Sequence, residues 1–527
     1  MKRITLILMA VAAISVQGQL MRPTSPVLGV ADTVFTGLIG SSISDIEGDG
    51  STVWLGSGHG LSASFDNGDS FVGYTSQYSN IGKGGVTALA HHGDTIWVAT
   101  GFDTTTSLGS FQAGGGISRS VDGGSSWVWL GQPMDSLQMT VSGTDTSYEK
   151  YSEIDVFGQS ILAVDVVTPI QNITFDLAFD GTRLWATSFG GGLRVSHDLG
   201  DSWQRVMLPW DEFDIMDADL IESLKDDIAA DPEYYAQDGL THLNHVAFSV
   251  KAWNDTIWVG TSSGINLSLD GGDSWEHFTF LNANISGNWV IALARQVLDN
   301  GEERIWASTV TTGAGDATGF SFYETSTGYW RAPFLGFKAW NFDSDGSNVY
   351  AATDQALWKS KDGLHFIPLP PFSNEDGSEQ IYSNRVYSVF VNHDGAVWVG
   401  TGDGLAISSD EGLTWNIEKA RVQDSKDAFY AYPNPFTPRL DKVLFDQGNL
   451  IIRFTAALGE DVTITIHDFA MHIVKRVVSD EAARFDGAQE WTWNGRNEQG
   501  YLVANGTYFI RYEIGSDVHW SKVMVIN

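Results

Sequence analysis

The sequence predicts an all-β chain, a seven-bladed β-propeller followed by a small β-sandwich. Three observations carry that prediction. An aromatic-small strand signature recurs seven times between residues 53 and 401, and a Ser-x-Asp turn box follows most copies. The C-terminal stretch keeps strand-like alternation but loses both repeats.

The chain opens with MKRITLILMAVAAISVQGQL, which has the parts of a secretory signal peptide. Lys2 and Arg3 give the positive start, Ile4 to Val16 the apolar run, and small residues near Gly18 a cleavage site. That run is too short to span a bilayer, and no later segment is apolar for long enough. Residues 1–18 are therefore expected to be removed on export, leaving a secreted, cell-surface or periplasmic protein. The absence of Cys excludes disulfides, thiolate catalysis and attachment through a lipidated cysteine. The 12 His residues show no metal-ligand spacing, so neither a metal nor a cofactor is expected. With 30 Lys and Arg against 65 Asp and Glu, the net charge is −35. Such a surface repels phosphate backbones and disfavours nucleic acid as a partner.

The repeat comes next. Its strand copies are VWLGS at Val53, IWVAT at Ile96, LWATS at Leu184, IWVGT at Ile257, IWAST at Ile305, VYAAT at Val349 and VWVGT at Val397. Their aromatics, Trp54, Trp97, Trp185, Trp258, Trp306, Tyr350 and Trp398, lie 43, 88, 73, 48, 44 and 48 residues apart. Four of these spacings are close to the roughly 40–45 residues of a four-stranded propeller blade. The spacing of 88 leaves room for an eighth blade. Residues 131–175, however, hold neither a second signature nor a box, and they read as an insertion.

Within each unit, strand A precedes a turn, as in GVTALAHHG, and strand B is the signature. Strand C leads into the box and strand D starts at its closing aromatic, so the box sits on the C–D hairpin. The full boxes are Ser120, Asp122, Gly124 and Trp127; Ser196, Asp198, Gly200 and Trp203; Ser268, Asp270, Gly272 and Trp275; and Ser408, Asp410, Gly412 and Trp415. A weaker copy holds Ser64, Asp66 and Gly68, and a shortened one Ser360 and Asp362. Blade five has only YETSTGYW, so the hairpins of blades five and six are expected to be less tightly tied. A fold needs its turn Asp in blade after blade, whereas catalysis needs an Asp once. The motif resembles the Asp-box, or BNR repeat, of sialidases, sortilin-like receptors and many bacterial propellers. That resemblance implies that the Asp accepts backbone N–H bonds within the turn, the Gly takes a positive φ, and the Trp packs between strands. These residues are expected to be structural, and no catalytic residue is assigned.

In a propeller the B–C and D–A loops share one rim, opposite the C–D hairpins. Four additions fall there: the B–C loops Gly101 to Gly116 and Thr309 to Gly319, and D–A insertions at 131–170 and 204–240. The last contains an acidic stretch with helical apolar spacing at Ile215, Leu220, Leu224 and Ile228. Insertions confined to one face mark a binding face, and Gly-rich loops with Trp, Tyr and acids suit a glycan or a protein ligand. Two alternatives stand beside recognition. A carboxylate pair on this rim, from Asp103, Asp211, Glu212 and Asp214, could cleave glycosidic bonds. The Arg cluster and Arg-Ile-Pro motif of sialidases are lacking. WVGTGDGL, Trp398 to Leu405, also resembles periplasmic sensor propellers, which implies a sensor or assembly factor acting through a partner.

Residues 421–429 read as a polar linker and 430–527 as a separate β-domain. DVTITIHDF alternates as a half-buried strand does, and NGRNEQG and ANGTY read as hairpin turns. The blocks Tyr432 to Phe436, Trp493-Asn494-Gly495, Gly500, Asn505 to Phe509 and Lys522 resemble the immunoglobulin-like module of the flagellar hook-capping protein. Similar termini of secreted bacterial proteins serve as type IX sorting domains. The resemblance implies an immunoglobulin-like sandwich for sorting or surface attachment through the secretion machinery.

Overall fold

The seven strand signatures form the second strands of seven antiparallel sheets, among them Thr52–Ser57, Thr256–Thr261 and Val397–Thr401. These strands are buried on both faces, so their sequence is a near-continuous apolar run rather than an alternation. The small residues in the signature have a direct cause. A Cβ on Gly56, Gly260 or Gly400 would stand 2.6 Å from Val86, 2.6 Å from Val290 or 2.8 Å from Ile43, on the first strand of the next sheet.

In the computed structural model the described residues are 35–526, apart from 108, 137–138, 143–144, 149, 376–379, 382, 421–428, 433, 439–448 and 484–486. The expected signal peptide, 1–18, and all but Phe429 of the expected linker lie outside them. The residues form two compact units, one of residues up to Pro370 with Val386–Lys419, the other of Pro371–Arg385 with Ala420 onward.

The first unit is a β-propeller. In each sheet the four strands stand side by side in chain order, and the first strands touch one another around the ring. These inner strands are Ile43–Asp49, Gly85–His92, Thr174–Phe179, Ala247–Trp253, Trp289–Val297, Ala339–Ser344 and Val386–Val391. The ring closes by packing between first and last sheets. Ser388 Oγ donates to Ile43 O at 3.4 Å, and Asn392 Nδ2 to Gly50 O at 2.7 Å. Phe35–Thr36 adds a fifth strand at the outer edge of the first sheet, on Val72–Tyr74, and so plays no part in the last one.

The additions take defined forms. Thr95–Thr106 and Gly109–Ser120 run on as one long hairpin. Between the second and third sheets stand two short hairpins, Met139–Ser142 with Asp145–Tyr148 and Tyr151–Val156 with Gln159–Val164. Between the third and fourth lies helix α1, Ala218–Ala230, where Asp217 caps the first turn by accepting Leu220 N–H at 2.8 Å. The helical spacing expected from Ile215 begins later than predicted. Ile215 pairs with Glu276 as an added edge strand, and the fully buried helical residues are Ile221 and Ile228.

The second unit is a β-sandwich. A three-stranded sheet (Tyr430–Tyr432, Leu450–Ala456, Gly487–Trp493) faces a four-stranded one (Ile473–Ala482, Asp461–His467, Gly506–Ile514, Asp517–Val525) over Leu450, Ile452, Phe454, Ile464, Ile466 and Ile510. Residues of the motif blocks converge in its core: the Trp493 ring lies tilted, 5.9 Å from both Phe436 and Tyr508.

Candidate functional site

Each of the seven inner strands carries a β-bulge at the same place. The register slips beside Ser44, Thr87, Phe175, Phe248, Ile291, Trp340 and Tyr387, leaving each as the extra residue. A bulge interrupts pairing and re-aims a side chain. Here it recurs near the start of each inner strand, beside the D–A connections that hold the insertions.

The bulged residues do not repeat chemically. Two are hydroxyls, spent on the neighbouring strand: Ser44 Oγ donates to Val86 O at 2.9 Å, and Thr87 Oγ1 to Thr174 O at 2.7 Å. Five are large and mainly apolar. Phe175 and Phe248 meet with ring centroids 5.3 Å apart, and Phe248 lies 5.7 Å from Trp289. Phe189, Ile291 and Val310 join this cluster. Trp340 donates its indole N–H to Asp354 at 2.9 Å, with Lys338 Nζ 3.8 Å from its ring centre.

Immediately past the bulges lies a belt of charge. Asp45 and Asp176 directly follow bulged residues, and Glu47, Lys251 and Asp343 lie a step farther along. An inner edge strand presents unpaired N–H groups, and these carboxylates accept them from the following sheet. Leu89 N donates to Asp45 at 2.8 Å, Val250 N to Asp176 at 2.9 Å and Val391 N to Asp343 at 2.7 Å; Val389 N does the same to Asn341 at 2.8 Å. Burial pushes the carboxyls up, Asp343 to about 6, Asp45 to about 7 and Glu47 to about 8, with neighbouring carboxylates adding to each. Lys251, 3.9 Å from Asp176, is held above the usual lysine range because these carboxylates outweigh its own burial. Four carboxylates thus surround one ammonium.

The turn boxes lie on the C–D hairpins. Ser268 Oγ donates to Asp270 Oδ1 at 2.7 Å and accepts Gly272 N–H at 2.8 Å, while Asp270 accepts Ser274 N–H at 2.9 Å. Ser64 with Asp66, Ser120 with Asp122, Ser196 with Asp198 and Ser408 with Asp410 repeat the pattern. Gly68, Gly124, Gly200, Gly272 and Gly412 all have φ between +85° and +101°. The sixth hairpin was expected to be looser, yet Ser360 Oγ donates to Asp362, and Asp362 accepts Leu364 N–H and His365 N–H, both at 2.8 Å. In the fifth, backbone bonds from Thr327 N and Gly328 N to Glu324 O make the turn.

Each box also reaches the preceding sheet, which the sequence does not reveal. A Cβ on Gly124 would stand 2.7 Å from Trp54, and one on Gly272 2.9 Å from Trp185. Trp97 donates to Leu199 O at 2.9 Å, and Arg183 to Gly271 O at 2.9 Å. Trp127 meets Trp54 edge to face at 6.0 Å, and Trp275 and Trp415 are buried; Trp203 packs against the cluster that holds Trp97.

Three of the four rim carboxylates are tied up singly. Asp211 accepts Leu243 N–H and Asn244 N–H at 3.0 and 2.8 Å, Glu212 accepts Tyr234 O–H at 2.6 Å, and Asp214 accepts Asn282 Nδ2 at 2.6 Å. Asp103 stands on the long hairpin opposite Gln112. Asp135, also missed by sequence reasoning, holds the buried side chains of Arg194, at 2.9 Å, and Arg205, and pins the first insertion to the third sheet. On the second unit an open groove of about 520 Å³ crosses the four-stranded sheet between Thr465, His467, Arg511 and Trp520. Among the described residues no group of three metal-ligating side chains occurs, and no helix is long and apolar enough to cross a membrane.

Residues 442–515 match the FlgD Ig-like domain. No curated protein sequence matches the chain. Among solved structures, the chain is similar to PorZ, an essential bacterial surface component of the type-IX secretion system of Porphyromonas gingivalis. The identity is 13%, over 92% of this chain and 75% of that one, with a TM-score of 0.35. It is also similar to a GH74 enzyme of Niastella koreensis (12%, 93% and 74%, 0.43) and to YCF48 from Cyanidioschyzon merolae (11%, 70% and 91%, 0.37).

Proposed function

We propose that this chain is an exported recognition protein whose propeller binds a glycan or protein ligand on the rim that carries the insertions. The single observation that carries the reading is the sevenfold bulge beside those insertions. A purely structural device would repeat its side chains, as the boxes do. The bulged positions instead keep the backbone feature and vary the chemistry, with two hydroxyls on one side and five large side chains on the other. Aromatic faces suit sugar rings and apolar side chains alike. In this reading the box residues build the hairpins, and the C-terminal domain serves sorting or surface attachment. A hydrolase is less well supported, because Asp211, Glu212 and Asp214 each have a local hydrogen-bonding task.

The test incubates the protein from Gln19 onward with immobilised polysaccharides, peptidoglycan and proteins, and scores retention and released reducing ends together. Retention without product, lost when residues 204–240 are trimmed, is the expected result. Product release, or retention indifferent to the trimming, overturns it.

A further inference from the structure

We propose that the mouth of the propeller channel on this rim takes a lysine or arginine side chain of a partner protein. The inference rests on the reading that this rim is the binding face, and it names the chemistry of the partner. The mouth is apolar along Phe175, Phe248 and Ile291, three bulged residues of successive sheets. Contact is continuous from there to charge: Trp289 lies beside Phe248, Phe248 beside Phe175, and Asp176 is the next residue in the chain. A long cationic side chain has this same order of parts, an aliphatic stem that lies on apolar surface and a charged head beyond it.

Charge complementarity selects the head. Lys251 shows that an ammonium is held here, 3.9 Å from Asp176, and four acidic side chains, Asp45, Glu47, Asp176 and Asp343, stand against this one cation; a second cation would displace the protons that burial keeps on Asp45 and Glu47. Three of the carboxylates are occupied by inner-edge N–H groups, but a carboxylate offers about four lone-pair directions, and capacity remains. The Glu47 side chain makes no hydrogen bond within the chain among the described residues. A separate feature points to the partner's backbone. Trp289 is 9% exposed and its indole N–H meets no acceptor among the described residues. A buried donor left unpaired is costly, and an incoming peptide carbonyl would pair it.

The probe is the capped peptide acetyl-Gly-Gly-Lys-Gly-Gly-amide, against counterparts with norleucine or Glu in place of Lys. Binding is read by saturation-transfer NMR at about 0.15 M salt, where exposed charges beyond roughly 8 Å are screened. Expected is binding of the Lys peptide at least tenfold tighter than of either counterpart. Asp45→Asn with Glu47→Gln should weaken it at least tenfold, and Trp289→Phe severalfold. Asp69→Asn with Asp273→Asn removes the same charge from the box hairpins and should leave it unchanged. Equal binding of the Lys and norleucine peptides, or equal losses in the two double variants, overturns the proposal. Should Asp45→Asn with Glu47→Gln fail to fold, Trp289→Phe and the peptide comparison decide alone. A panel ligand lost on trimming 204–240 but indifferent to Asp45→Asn with Glu47→Gln overturns this inference and leaves the binding face standing.

Discussion

At the scale of single residues, the turn boxes act as latches between sheets. The Ser hydroxyl joins the carboxylate to the Gly N–H, and the Gly exists because the preceding sheet presses on it. Gly124→Ala must force a Cβ into φ +85° and to within 2.7 Å of Trp54. A loss of about 2–3 kcal/mol is expected from strain plus overpacking. Gly123→Ala next door, at φ +64° with nothing within 4 Å, should lose only about 1 kcal/mol. Denaturant titration of the two variants separates the terms, and equal losses would rule out the contact with Trp54. Ser268→Ala removes the buried hydroxyl that accepts the half-buried Gly272 N–H, for an expected cost of about 1–2 kcal/mol. If the boxes only build hairpins, Ser268→Ala leaves ligand retention intact; a folded variant that retains nothing sinks that assignment.

Among the elements, the first insertion is held by Asp135 between two buried guanidiniums. Removing one partner of a buried ion pair leaves uncompensated charge, typically at about 3–5 kcal/mol. Asp135→Ala should therefore expose residues 131–170 to limited proteolysis while the sheets stay protected, and unchanged cleavage there would show that other contacts seat the insertion. How far such elements could be read in the sequence follows from their physics. The second strands were legible because burial on both faces writes an unbroken apolar-small run at near-constant spacing. The sandwich core was legible because Phe436, Trp493 and Tyr508 sit in blocks with fixed turn residues around them. The bulges were not, since a bulge is a backbone event and Ser44, Phe175 and Trp340 share no side-chain property. Nor were the latches from box to preceding sheet, whose partners lie far back in the chain. The start of α1 was misplaced because Ile215 fits the helical period, whereas the cap at Asp217 and pairing with Glu276 decide the local structure.

Across the whole ring, the belt of Asp45, Glu47, Asp176 and Asp343 joins sheets that are distant in sequence, and its protonation belongs to the assembled propeller. Burial raises Asp343 to about 6, Asp45 to about 7 and Glu47 to about 8 in the folded chain. Unfolded, the same groups titrate near 4. Between those limits the native state holds more protons than the unfolded one, so stability falls as pH rises. The loss begins above about pH 4 and is complete only above about pH 8, once Glu47 has given up its proton. Lys251, raised above its ordinary value, stays charged through this window and contributes no slope within it. The box carboxyls run the other way: Asp198 and Asp410 are lowered to about 2, and their contribution is lost only as pH falls below about 4. Burial lowers His245 to about 4 and also lowers His91 and His277, which gives the opposite slope up to about pH 6.5. Thermal midpoints at fixed ionic strength should therefore decline from about pH 6.5 to pH 8, and Glu47→Gln should flatten that decline. A midpoint that climbs across the same range, or a slope that Glu47→Gln leaves untouched, would mean that the belt is ionised throughout.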